Sequence, residues 1–187
     1  MRHNLKVIAT MLFLAVTLAA WADGLNIVPQ PLRVSKGSGE FVISAKTRIV
    51  CQPQLLHEAE WLAAALRAST GLPLTVGSGG GTKGAISLAI DTVAVTEMEG
   101  YSLSVSAKGV SIKARTGAGA FYAMQTLMQL LPRDAYSSTV RNGVRWSVPA
   151  ADIYDAPAYK WRGLMLDVSR YFHDSDFLRS YIYMTSA

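Results

Sequence analysis

A single cysteine, Cys51, stands in 187 residues, so no disulfide can form within the chain. It follows Thr47-Arg48-Ile49-Val50, an alternating apolar run, and a buried core thiol is the expected state. Charged residues are sparse, 17% against 50% hydrophobic, which excludes a charge-extended disordered chain and suits a packed domain. Basic residues outnumber acidic ones 18 to 13, yet no run of five or six Lys and Arg occurs, so no nucleic-acid partner is expected. Beyond the first twenty residues there is no apolar stretch long enough to cross a bilayer.

What the chain does have begins with an export signature. Arg2 and Lys6 precede the uncharged apolar stretch Val7 to Ala20, and Ala20-Trp21-Ala22 supplies a small-x-small cleavage site before Asp23. The stretch is shorter than the roughly 20 residues a membrane span needs. Residues 1–22 are therefore expected to be a signal peptide, and the mature chain to be periplasmic or extracellular with no membrane attachment.

The mature sequence then alternates between two periods. Ile27-Val28, Phe41-Val42-Ile43 and Arg48-Ile49-Val50 read as strands, with Lys36-Gly37-Ser38-Gly39 as a turn between them. Leu55, Ala59, Leu62, Ala63 and Leu66 recur at helical spacing, and Gly71 lies where a left-handed cap ends such a helix. Leu72 to Val76 and Ala85 to Ile90 read as strands. The glycine-rich Gly77-Ser78-Gly79-Gly80-Gly81 between them lacks the Gly-Lys-Ser/Thr of a phosphate loop, so it is a connection. Tyr101 to Val105 and Val110 to Lys113 predict a hairpin, apolar on one face and serine-rich on the other. Phe121, Met124, Leu127, Met128 and Leu131 give a helix from about Gly117 an apolar stripe, and Pro132 stops it. Residues 23–132 thus predict an α+β domain, a mostly antiparallel sheet with two helices against it. Residues 133–158 read as a linker or extended connection, with an extended pattern from Trp146 to Tyr154.

The most informative stretch is Trp161-Arg162-Gly163-Leu164-Met165-Leu166-Asp167-Val168-Ser169-Arg170-Tyr171-Phe172. Leu164 to Leu166 is a short apolar run of the kind found in strands buried on both faces, with Asp167 at its carboxyl end. Asp174 or Ser175 can cap a following helix with Phe177, Leu178, Tyr181 and Ile182 on its apolar face. Residues 159–187 therefore predict one β/α unit. The motif Arg162-Gly163-x-x-x-Asp167-x-x-Arg170-Tyr171-Phe172 resembles the opening of the catalytic (β/α)8 barrel in glycoside hydrolase family 20, the β-N-acetylhexosaminidases. The passage from Glu99-Gly100-Tyr101 to Leu131 likewise resembles the non-catalytic N-terminal domain of that family.

The resemblance implies hydrolysis of terminal non-reducing β-linked N-acetylglucosamine or N-acetylgalactosamine in glycans or chitooligosaccharides. It implies substrate-assisted, retaining catalysis, in which the 2-acetamido oxygen attacks the anomeric carbon, a glutamic acid protonates the leaving oxygen and an adjacent aspartate orients the acetamide. It implies no metal and no cofactor. Arg162 matches an arginine that holds sugar hydroxyls, a role suited to a guanidinium fork, with a structural ion pair at the strand's start as the alternative. Asp167 and Arg170 are candidates to brace the barrel or pocket, and His173 is either a loop residue or a pocket-lining support. The chain has no Asp-Glu dipeptide, and its last glutamate is Glu99. A barrel needs roughly 250 residues, far more than residues 161–187 provide. A C-terminally truncated, inactive piece is the expectation, with no catalytic residue in the chain. Two alternatives stay open: another exported glycosidase sharing this N-terminal domain, or a non-catalytic secreted domain that binds glycans or a partner.

Overall fold

A computed structural model describes residues 25–186, so the expected signal peptide lies outside the described residues. Seven strands form one sheet: β1 (Arg33–Val42), β2 (Arg48–Cys51), β3 (Thr75–Gly77), β4 (Ala85–Ile90), β5 (Tyr101–Ser106), β6 (Gly109–Ala114) and β7 (Ser147–Asp155). Their spatial order is β1-β7-β5-β6-β4-β2-β3. Among the described residues three α-helices accompany them: α1 (Leu56–Thr70), α2 (Gly117–Leu130) and α3 (Ser175–Ser186).

The sheet is mixed, which corrects the expectation of a mostly antiparallel one. β1 with β7, β7 with β5 and β5 with β6 pair antiparallel. β6 with β4, β4 with β2 and β2 with β3 pair parallel. Alternating apolar residues reveal that a strand has one buried face but not which way its neighbour runs. The parallel half follows from connectivity: a parallel neighbour requires a crossover, and α1 is the crossover between β2 and β3.

One face of the sheet carries the core. Ile49, Ile86, Leu88, Leu103, Val110, Ile112 and Ile153 are buried beneath α1 and α2 together with Leu62, Leu66, Met124 and Leu127 from the helices. On the opposite face Asp152, Ser104, Ser111 and Ser87 lie in one cross-strand row. The Ser104 hydroxyl donates to Asp152 there at 2.6 Å. This is the two-faced hairpin that the Tyr101 to Lys113 alternation predicts.

Helix boundaries follow from local chemistry. Gly71 ends α1 in the left-handed conformation (φ 68°), its N–H donating to the Arg67 carbonyl. A Cβ at Gly71 would also meet Val140 Cγ1 at 3.1 Å. Gly71→Ala is therefore expected to destabilise the domain by about 1 kcal/mol in urea unfolding; an unchanged midpoint would contradict this account of the cap. Thr116 caps α2, its hydroxyl accepting from Gly119 N–H at 3.5 Å and donating to the Met98 carbonyl at 2.6 Å.

Three further expectations change. Lys36-Gly37-Ser38-Gly39 is not a turn between strands: β1 runs through it, and only a register irregularity between Lys36 and Glu40 marks the glycines. Ile27-Val28 forms no strand; Val28 is instead fastened to α2, its N–H donating to Gln129 Oε1 at 2.8 Å and its carbonyl accepting from Gln129 Nε2 at 2.9 Å. The stretch read as a connection after Pro132 contains β7, which sits between β1 and β5 inside the sheet. Its alternation is legible in sequence, but its place in the sheet depends on partners more than forty residues away.

The barrel strand expected at Leu164 to Val168 is not formed. No strand lies between residues 157 and 174, and Met165 is 93% exposed. A strand built to be buried on both faces needs parallel neighbours on each side, and the described residues offer it none. The helix expected after it does form. Asp174 caps α3, its carboxylate accepting from Phe177 N–H at 2.8 Å. Among the described residues no helix is long and apolar enough to cross a membrane.

Candidate functional site

Arg162 is the residue singled out for contact with a sugar, and the structure gives it a definite setting. Its Nη2 donates to Glu99 Oε2 at 2.7 Å and to the Tyr122 hydroxyl at 2.9 Å, and its Nη1 donates to the Tyr159 carbonyl. The guanidinium carbon lies 5.7 Å from the Tyr122 ring centroid. Glu99 is delivered by the tight passage into β5 and Tyr122 by the first turns of α2. The segment after β7 is thereby tied to the helical layer. The Glu99 and Tyr122 contacts also hold the Arg162 proton more firmly than usual.

Beside this cluster lies a cavity of about 620 Å³, walled by Tyr101, Tyr122, Gln125, Asp155 and Arg162 among others. Tyr101 is buried at its floor, its hydroxyl 2.5 Å from Thr126 Oγ1. Burial is the main reason its phenol is pushed up to about 12, so it stays neutral and can donate as well as accept.

The remaining expected site residues lie in the exposed stretch that follows. Asp167 accepts from the Ser169 hydroxyl at 2.6 Å and from its N–H at 2.9 Å, and it faces Arg170 Nε at 3.6 Å. Those Ser169 contacts hold its carboxyl below the usual range. His173 stacks on Phe177, with ring centroids 4.2 Å apart. Asp167 and Arg170 are thus brought together. No hydrogen bond or ion pair among the described residues joins Arg162 to either of them or to His173. Sequence reasoning missed Glu99 and Tyr122 as partners of Arg162. A lone glutamate before a strand and a tyrosine beside a helical stripe carry no signal of long-range pairing.

Among the described residues there is no group of three His, Cys, Asp or Glu able to hold a metal. Asp167, the acid of the motif, is exposed and engaged by a serine. The fold and site define a mixed α/β domain followed by a segment that carries Arg162, Asp167, Arg170 and His173.

Comparison with known proteins places that domain. Residues 24–156 match the family described as glycosyl hydrolase family 20, domain 2. A β-hexosaminidase of Porphyromonas gingivalis is 38% identical over 169 residues, covering 89% of this chain and 22% of that protein. The solved family 20 β-N-acetylhexosaminidase of Streptomyces coelicolor superposes with a TM-score of 0.75 at 36% identity, over 84% of this chain and 32% of that one. A mutant Streptomyces plicatus β-hexosaminidase, solved in complex with its product GlcNAc, gives a TM-score of 0.75 at 35% identity, over 84% and 31%. The chain belongs to glycosyl hydrolase family 20. It spans between about a fifth and a third of the length of these relatives.

Proposed function

We propose that these residues are the N-terminal part of an exported β-N-acetylhexosaminidase. Its substrates are terminal, non-reducing β-linked N-acetylglucosamine or N-acetylgalactosamine residues of glycans or chitooligosaccharides, cleaved by substrate-assisted retaining chemistry. The observation that carries the reading is the domain 2 match over residues 24–156, followed at once by Arg162-Gly163-x-x-x-Asp167-x-x-Arg170. In this proposal residues 1–22 direct export, residues 159–187 open the catalytic barrel, and the Asp-Glu pair that does the chemistry lies outside residues 1–187. The domain formed by the sheet, α1 and α2 is the platform on which the barrel is built.

Arg162 holds hydroxyls of the terminal sugar in the working enzyme, while Asp167, Arg170 and His173 brace the pocket. That role requires Arg162 to leave Glu99 and Tyr122. The Arg162 and Glu99 side chains are 40% and 37% exposed, and an ion pair so open to water is weak enough for sugar contacts to outweigh it.

The test uses the whole gene product and an aryl β-N-acetylglucosaminide. Release of the aryl alcohol is expected, and Arg162→Ala should lower kcat/KM about a hundredfold, the loss of one charged hydrogen-bonding fork. No release by the whole gene product would overturn the activity. Full activity in the Arg162 variant would overturn the role given to that residue.

A further inference from the structure

The face of the sheet turned away from α1 and α2 carries a cleft of about 310 Å³, where the turn between β5 and β6 meets the approach to β4. Each of those two segments delivers one exposed lysine to it, Lys108 from the turn and Lys83 from the approach. The segments are tied together: Gly84 N–H donates to the Lys108 carbonyl at 2.6 Å. Gly109 permits that approach, since a Cβ there would lie 2.8 Å from the Ala85 carbonyl oxygen and 2.9 Å from that of Thr82. Arg48 adds a third cation beside them. Its Nη2 donates to the Gly81 carbonyl at 3.2 Å, at the end of the glycine-rich stretch and next to Thr82 and Lys83.

None of these three cations has a carboxylate partner among the described residues. No acidic side chain lines the cleft. The carboxylate of the neighbouring row, Asp152 on β7, is engaged by the Ser104 hydroxyl. The half-buried Ser111 and the exposed Thr82 also line the cleft, and their hydroxyls make no hydrogen bond among the described residues, so both are free to donate. Unpaired cations and free hydroxyls in a cleft without a carboxylate select for an anion. Ammonium groups are point donors and suit a tetrahedral oxyanion with three diverging oxygens, whereas a planar carboxylate is better matched by a guanidinium fork.

The rest of the lining discriminates among polyanions. It contains no aromatic ring, so nucleobases have nothing to stack on. It has no large apolar side chain exposed to enter a membrane surface. A sulfated sugar needs only what is present: ammoniums for the ester, and hydroxyls for the oxygens around it.

We propose that the Lys83–Lys108 cleft is a binding site for the sulfate esters of a sulfated polysaccharide. It shares no residue with the cavity beside Arg162, and it does not depend on the hexosaminidase reading.

The experiment titrates the isotopically labelled full chain with a dextran sulfate oligosaccharide and follows backbone amide shifts by two-dimensional NMR. Parallel titrations use the unsulfated dextran oligosaccharide, a single-stranded oligonucleotide of the same charge, and sodium sulfate at the same concentration of sulfate groups. Saturable shifts confined to residues around 82–87 and 104–111 are expected with dextran sulfate alone. Replacing both lysines, Lys83→Gln with Lys108→Gln, should weaken binding about tenfold or more. Arg133→Gln with Lys160→Gln removes the same charge outside the sheet and should leave binding unchanged. All four side chains are exposed, and the spectra report whether both variants are folded. If the lysine variant is not, the comparison of sulfated and unsulfated dextran on the unaltered chain decides alone. No saturable response to dextran sulfate, an equal response to the unsulfated compound, binding of the oligonucleotide at this site as tight or tighter, or equal weakening in the control variant would each overturn the proposal. So would the same shifts with sodium sulfate, which would mean an adventitious ion only.

Discussion

Replacing Gly119 by alanine is expected to lower the unfolding free energy by about 3 kcal/mol, although alanine is the better helix former. Gly119 is buried in the first turn of α2, where the helix crosses the chain entering β5. A Cβ there would lie 2.2 Å from the Gly100 carbonyl oxygen and 3.1 Å from its carbon. Both obstacles are backbone, so the helix and the β5 entry must separate. Helix propensity returns only about 1 kcal/mol against a clash of that kind. Gly117→Ala is the control. Its nearest obstacle is the tip of the Glu58 side chain, which can swing away, so that variant should lose far less. Urea unfolding of the two variants checks the contrast, and equal losses would contradict it.

The second large effect lies in hydrogen exchange. Amides of β5 and β6 are paired on both sides within the sheet and open only with the whole domain. Amides from Leu164 to Val168 have no strand partner. With a domain stability of 5 kcal/mol or more, the first group should exchange at least about a thousandfold more slowly than the second. Limited proteolysis should agree, trimming the chain back to a resistant core ending just beyond Asp155, the last residue of β7. Protection of Leu164 to Val168 equal to that of β5 would mean that the segment belongs to a completed structure within this chain.

These two effects mark the parts of the fold that sequence displays and conceals. The β5–β6 hairpin, α1 with its Gly71 cap and α2 are legible because each is set by spacing within a dozen residues. The parallel half of the sheet is not, since direction depends on where α1 returns the chain. β1 conceals itself because glycines that usually punctuate a turn here sit at an irregularity inside one strand. The Leu164 to Leu166 run is the reverse case: its composition is that of a strand, but strand formation is a property of neighbours. At the site, the Arg162-to-Phe172 motif pointed to the family from sequence alone. The contacts of Arg162 with Glu99, 63 residues earlier, emerge only from the packing of α2 against the rest.

No glutamate follows Glu99, and no Asp-Glu pair occurs anywhere in residues 1–187. A β-N-acetylhexosaminidase without a general acid has nothing to protonate its leaving group. The decisive measurement is the release of chromophore from an aryl β-N-acetylglucosaminide by the purified 187-residue chain, produced in a host lacking hexosaminidase. The account predicts a rate indistinguishable from buffer. Turnover that copurifies with the folded chain, and disappears when it is removed, would contradict it.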